Sequence, residues 1–425
     1  MKYLNTRAEE VVSFKEATLN GLGAKGGLYV PESIPQLPAS FYEEIENLND
    51  VEIATTALWP FVEGSLTREE LQTIVSETLS FPTPVKHIYD DVHVLELFHG
   101  PTMAFKDVGA RFMSRCLSRF VEKGSETTVL VATSGDTGSA VAHGFANVEG
   151  IKVKILFPKG KVSPFQEYQM TSLGGNIQAL EVDGTFDDCQ ALVKQAFSYS
   201  NLNEQVQLSS ANSINVARFL PQMTYYFLAF KQLKKMLSGK KLIVSVPSGN
   251  FGNITAGLIA KRMGLPIDQF VAANNSNNTF YEYLDTGNYT PKKSVATYSN
   301  AMDVGAPSNF ERIEFLYDKN LDSVKSDILG FTLTDEQTLD EIKHVYNLHE
   351  YVLDPHGAVG HAGLKAHLRK NEVGLFLETA HPKKFESVVK QALPSYPIHD
   401  VNLQGCKKIS MKNSYAEFVN HILTP

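Results

Sequence analysis

Cysteine is scarce in this chain: Cys116, Cys189 and Cys406 are the only three in 425 residues. They are too few and too widely spaced for a disulfide framework or paired metal-ligand spacing, so we read them as free thiols. Positive charge is also short. Lys and Arg number 39 against 47 Asp and Glu, a formal net charge of −8, so the average surface field does not favour nucleic acid. A small anion stays compatible, because clustered amides and one or two cations overcome a weak, screened repulsion. No stretch approaches the ~20 apolar residues that span a bilayer. The start, Met1 to Thr18, has no basic segment followed by an apolar run, so cytoplasmic residence without membrane association is expected. His99, His143, His356, His361 and His381 are scattered without an HExxH string, which argues against a metal site. A GxGxxG turn opening a first βαβ unit and a complete GxxxxGKS/T loop are both missing, which disfavours dinucleotide oxidoreductases and nucleoside-triphosphate phosphotransferases.

What is present is enough apolar content, 43 %, for two or three packed domains. The first ninety residues mix short helical signals such as Thr67 to Leu71 with breaks at Gly26-Gly27, Pro31, Pro35, Pro60 and Pro82. They form an accessory layer ending near Phe81 to Pro84. From Val92 the rhythm changes to short apolar runs, polar or glycine-rich turns and amphipathic stretches, the signature of strand-loop-helix units. Val92–Leu97, Thr128–Ala132, Val153–Phe157 and Leu242–Val246 are the clearest strands, with helices after Gly138 and Asn253. Such apolar strands favour sheets covered on both faces. The expected division is 1–90 accessory, 91–215 lysine-bearing segment and smaller α/β domain, and 216–425 larger α/β domain. Within the last, residues 268–345, with Asn274-Asn275, Asn277-Asn278 and Asp285 to Asn288 followed by Pro307 and a charged helix candidate, read as a surface excursion plus packed helices.

Two loops could hold anions. Ala132 to Ser139 and Ser245 to Asn253 each follow an expected strand and open an expected helix, where small side chains let backbone amides approach a ligand. A purely structural turn is the other reading of each. Lys106 lies between an expected strand end and helix in an aromatic, apolar setting, where desolvation favours the neutral amine needed for Schiff-base exchange. The alternative is a surface lysine paired with Asp107. Arg218 could grip a phosphate with its planar donors, or make a surface pair or cap. Thr379 follows the apolar run Gly374 to Leu377 and is either a ligand hydroxyl or a local turn partner.

The strings HGPTMAFKD around Lys106, ATSGDTGSA around Asp136, SANSINVAR ending at Arg218, PSGNFGN ending at Asn253 and LETAHPKKF from Leu377, with GGLYVP at Gly26, resemble threonine synthases. These belong to the tryptophan-synthase-like, fold type II group of pyridoxal-phosphate enzymes, and the resemblance spans nearly the whole chain. It implies an α/β fold with two α/β domains and an N-terminal accessory region. Lys106 is then the Schiff-base lysine, Gly249, Asn250, Phe251, Gly252 and Asn253 the cup for the cofactor phosphate, and Thr379 the hydroxyl beside the pyridine nitrogen. Asp136 stands where some fold relatives have asparagine beside the cofactor's phenolic oxygen. Two anions there repel unless a proton or cation compensates, and a helix-cap role avoids the conflict. Ser213 and Arg218 resemble substrate-phosphate positions, with Asn212 and Asn215 beside them. Ser134, Thr137 and Ser139 are candidates for the substrate carboxylate. Lys159 is a candidate that approaches the phosphate on closure, or is an ordinary exposed loop residue.

The implied reaction is conversion of O-phospho-L-homoserine and water to L-threonine and phosphate, by γ-elimination and β-addition of water. Lys106 shuttles protons between carbon α and carbon β. A related lyase or dehydratase acting on another amino acid would share the cofactor residues, and an inactive metabolite-binding protein could retain the fold. Monomer and homodimer are both open.

Overall fold

The computed structural model describes residues 1–198, 202, 205–399 and 401–424. Its strands are β1 (Lys2–Asn5), β2 (Val11–Ser13), β3 (Tyr29–Pro31), β4 (Val85–Tyr89), β5 (Val92–Glu96), β6 (Thr127–Ala132), β7 (Ile151–Pro158), β8 (Ile177–Asp183), β9 (Gln207–Ser210), β10 (Lys241–Pro247), β11 (Gln269–Asn274), β12 (Ile328–Thr332), β13 (Glu372–Glu378) and β14 (Ile409–Lys412). They make a small antiparallel sheet β2-β1-β3, a six-stranded sheet β12-β11-β10-β13-β5-β4 and a five-stranded sheet β14-β8-β7-β6-β9. Every pairing in the two large sheets is parallel except β4 with β5. All residues of β5 and β6 are buried, as a parallel sheet with helices on both faces requires.

Each strand expected from its apolar run is present, within two residues at each end. The helix Phe186–Ser198 starts on a reciprocal cap, in which Asp188 N donates to Thr185 Oγ1 and Thr185 N donates to Asp188 Oδ2. Residues 268–345 differ from the expectation, because they hold two strands of the six-stranded sheet as well as helices. In β11, QFVAAN is buried from Phe270 onward, and the Asn residues that signal a turn begin only at its end. Burial between β10 and β12 overrides the weak strand propensity of its alanines. The first ninety residues likewise contain strands, three of them too short to carry a periodic signal.

The chain passes between the large sheets more often than the divisions at 90/91 and 215/216 allow. β5 joins β13 in the six-stranded sheet, and β14 joins β8 in the five-stranded one. Parallel neighbours need crossovers, so strands distant in sequence become adjacent. One consequence sets the site. The loops leaving β5 and β13 are stitched together: Leu97 N donates to Glu378 O at 3.0 Å, Phe105 N to Thr379 O at 2.9 Å and His381 N to Met103 O at 3.1 Å. Lys106 and Thr379 are therefore fixed by one backbone clamp. Among the described residues no helix is long and apolar enough to cross a membrane.

Candidate active site

Three strand ends, those of β5, β6 and β10, lead directly into loops that open helices: Lys106–Phe120, Asp136–Phe145 and Gly252–Arg262. They converge on a cavity of about 110 Å³. A wider cleft of about 1290 Å³ lies between the N-terminal unit and the segment around Tyr289 to Lys319. The residues with chemical content line the smaller cavity. Lys106, Ser134, Asp136, Thr137, Asn212, Ser213, Arg218, Gly249 to Asn253 and Thr379 all reach it.

Lys106 opens its helix after a tight turn in which Met103 N donates to Gly100 O. Asp107 is committed elsewhere, accepting from Thr102 N at 2.9 Å and Thr102 Oγ1 at 2.6 Å, so the pairing of Lys106 with its neighbour is not realised. The Lys106 amine has no hydrogen-bond or ion-pair partner among the described residues. Burial pushes its pKa down to about 8, against a smaller upward pull from Asp136. At pH 7 the neutral fraction rises from roughly 0.03 % to roughly 10 %.

The loop after β10 is an open set of donors. Among the described residues, none of the backbone N–H groups from Gly249 to Ile254 donates to a protein acceptor. Phe251, at φ 62°, turns the chain so that the helix begins at Gly252 with its dipole toward the cavity. Gly249 is required by close approach: a Cβ there would sit 2.5 Å from Met302 Cα. Asn253 Oδ1 accepts from Tyr226 Oη at 2.6 Å, leaving its buried Nδ2 without a partner.

The loop after β6 is wired differently. Thr133 Oγ1 accepts from Gly135 N at 2.9 Å and Gly138 N at 2.8 Å, so two of its amides are already used. Gly135 takes φ 137°, which a side chain disfavours. Asp136 is buried, accepting at Oδ1 from Gln166 Nε2 at 2.9 Å and pairing with Lys384 Nζ at 2.7 Å. Burial alone would raise this carboxyl; Lys384, then Lys106, hold it well below its ordinary value. Lys384 is the compensating cation that an aspartate needs here.

The Arg218 guanidinium is buried with a single hydrogen bond, Nη1 to Ala211 O, and no carboxylate partner among the described residues. Its Nε is orphaned, and burial pushes its pKa down to about 10. A buried guanidinium without a counter-ion, facing a cavity, is complementary to an anion. Asn212 and Ser213 frame this corner. Asn212 pairs with both backbone groups of Ala132, and Ser213 Oγ accepts from Asn250 Nδ2 at 2.7 Å and Asn309 Nδ2 at 3.1 Å.

Three expected residues do not reach the cavity. Ser139 is buried with Oγ donating to Gly135 O. Asn215 is buried, capping Ala217 N and donating to Thr18 O. Lys159 is exposed. Residues that the sequence did not single out do contribute: Lys384, Gln166, His356 and the segment Asn300 to Val304. His356 Nδ1 pairs with Asp354 Oδ1 at 2.8 Å, and its Nε2 accepts from Ala301 N, holding that segment over the cavity. Glu378 is structural, accepting from Asp354 N at 2.6 Å. The Ser163-Gln166 capping box was a legible signal for Gln166; between Lys383 and Lys384, nothing in the sequence says which turns inward.

The donor set fits pyridoxal phosphate: open amides at one end of the cavity, an unpartnered amine at another, and the Thr379 hydroxyl beside the clamp. Family comparison agrees. Residues 77–377 match the pyridoxal-phosphate dependent enzyme family, and residues 2–79 match the threonine synthase N terminus. A threonine synthase from Haemophilus influenzae is 47 % identical over 385 residues, covering 91 % of this chain and 89 % of that protein. The crystal structure of threonine synthase from Escherichia coli superposes with a TM-score of 0.92 at 40 % identity, covering 100 % of this chain and 99 % of the other. Threonine synthase from Brucella melitensis with bound pyridoxal phosphate also gives 0.92, at 34 % identity and the same coverage.

Proposed function

The chain belongs to the threonine synthase family of pyridoxal-phosphate-dependent enzymes, and we propose that it converts O-phospho-L-homoserine and water to L-threonine and phosphate at the cavity around Lys106. The observation that carries this site assignment is the meeting of an unpartnered amine, an open amide cup and a counter-ion-free guanidinium around one cavity.

Pyridoxal phosphate, when bound, supplies an aldehyde for amine exchange and a ring that accepts the electrons released at carbon α. Gly249 to Asn253 would hold its phosphate, and Thr379 would support the ring nitrogen. Lys106 holds the cofactor at rest. Freed from that link, the Lys106 amine would take the proton from carbon α, move protons at carbon β and return one to carbon α. Arg218 binds the substrate phosphate beside Ser213, which orients carbon γ for departure of that group. Ser134 and Thr137 accept the carboxylate role, with Ser139 behind them. Asn212 and Asn215 hold the Arg218 segment, and Lys159 is left to approach from the surface. The cofactor-facing side of Asp136 is kept anionic by Lys384. The proposed compartment is the cytoplasm, where isolated thiols such as Cys116 and Cys189 persist.

The test is a product assay with purified, cofactor-loaded protein and O-phospho-L-homoserine, together with peptide mass analysis after borohydride reduction. Threonine and phosphate in equal amounts, with the reduced adduct on Lys106, is the expected result. Deamination of serine without turnover of phosphohomoserine, or an adduct on another lysine, would sink it.

A further inference from the structure

Lys384 has no side-chain contact with solvent, yet it carries a charge into the space beneath the cavity. It enters on the turn Pro382–Phe385 after β13, and its Nζ donates to Thr102 O at 2.8 Å as well as pairing with Asp136. Thr102 is also the residue that ties down Asp107, next to Lys106. Gln169 Nε2 donates to the same Thr102 carbonyl, and Gln166 to the same Asp136 oxygen. One ammonium thus joins the lysine loop, the helix that Asp136 opens and the segment after Thr379. A buried cation is costly without a partner, and Asp136 is the carboxylate it has.

We propose that Lys384 is a positioning residue that keeps Asp136 from capturing Lys106: by holding the carboxylate in a separate buried ion pair, it leaves the Lys106 amine free to form and re-form its covalent bond. The geometry supports this, since Asp136 pairs with Lys384 while Lys106, over the Phe105 ring at 5.7 Å, has no hydrogen-bond or ion-pair partner among the described residues. The charged surroundings agree in sign. Burial lowers the Lys106 pKa, Asp136 opposes that, and Lys384 and then Arg218 reinforce it. The other titratable groups around this space are Asp107 and Arg111 on the Lys106 helix, His143 on the helix that Asp136 opens, which burial and then Lys384 push down, Tyr225, whose hydroxyl donates to Phe105 O, and His356 and Asp303 across the cavity. Asp107 is tied to Thr102 and His356 to Asp354, so Asp136 is the carboxylate whose partner choice decides the state of Lys106.

The inference rests on Lys106 being the cofactor-bearing lysine, and its test reads Lys106 directly. In full-length protein freed of cofactor, the pH dependence of labelling by a small amine-reactive reagent, quantified on the Lys106 peptide, gives the titration of that amine. Lys384→Gln is expected to move it upward by about one unit, a tenfold loss of neutral amine near neutrality. Asp136→Asn is expected to move it downward, and the double variant to return it close to the parent. Lys384→Arg, which keeps the charge, should leave the titration in place. In the loaded enzyme, the absorbance titration of the lysine-cofactor link should shift in the same directions. An unmoved Lys106 titration in folded Lys384→Gln overturns the proposal. If that variant does not fold, an unmoved or upward shift in Asp136→Asn overturns it instead. A merely structural role would alter yield and melting without these opposed shifts. Adduct mapping to another lysine would overturn the functional reading while leaving the titration result intact.

Discussion

The loops after β6 and β10 are written in similar residues, TSGDTG and PSGNFGN, and both open a helix toward the same cavity. Their wiring is opposite. After β10 the amides of Gly249 to Ile254 are left without protein acceptors, and the loop offers neutral donors only. After β6 the Thr133 hydroxyl takes two amides back, and the loop instead presents a carboxylate neutralised by a lysine from the far end of the chain. Small residues before a helix therefore license an anion site without creating one; the local hydroxyl decides whether the amides stay open.

The amine between the loops gives the largest test. Lys106→Ala should abolish the reducible adduct and lower turnover by roughly 10³-fold or more, while phosphate-cup binding of the cofactor persists, as equilibrium dialysis would show. Loss of all cofactor binding would mean that the open amides do not act as a cup. Next, Gly249→Val places bulk against Met302 and should weaken cofactor affinity by roughly tenfold to hundredfold in folded protein. For the other loop, Thr133→Val orphans the Gly135 and Gly138 amides. It should cost about 1–3 kcal/mol of stability in denaturant titrations, with a smaller effect on cofactor affinity than Gly249→Val. The reverse ranking would erase the distinction between the loops.

The smallest expected effect concerns the segment that closes over both. Burial pushes Asp303 up to about 6, in spite of hydrogen bonds from Thr297 and Asn275. A raised carboxyl holds its proton more tightly in the folded state, so its contribution is complete below the ordinary value near 3.8 and is lost as pH rises through about 6. Asp303→Asn should flatten stability between pH 4 and 6, measured by thermal unfolding across that range. An unchanged pH slope would remove the carboxyl from the account.

Long apolar strands and the helices after them were legible because burial on both faces leaves an uninterrupted hydrophobic run, as in β6 and β10. β11 was not, since its alanines and terminal asparagines resemble a loop until two neighbouring strands bury them. At the site, local chemistry joined to family resemblance pointed to Lys106 and to Gly249 to Asn253, all of which line the one cavity. Lys384 was not: its role exists only through contact with Asp136, 248 positions earlier in the sequence. Ser139 and Asn215 show the converse, polar residues inside telling strings whose side chains serve the turn itself.

The clamp between the β5 and β13 loops also has a consequence for the chain as it is made. Lys106 leaves the ribosome long before Thr379 and Lys384, and at ~5–20 residues per second the interval lasts roughly 15–60 s. Through that time β5 lacks its partner β13, and its buried residues have one open edge. The lysine is synthesised early, but the clamp beside it closes only when about the last eighth of the chain arrives, so a nascent fragment ending before β13 presents an open strand edge and lacks Thr379 and Lys384. Release of an interrupted chain is therefore expected to give an aggregation-prone species rather than a weakly active one.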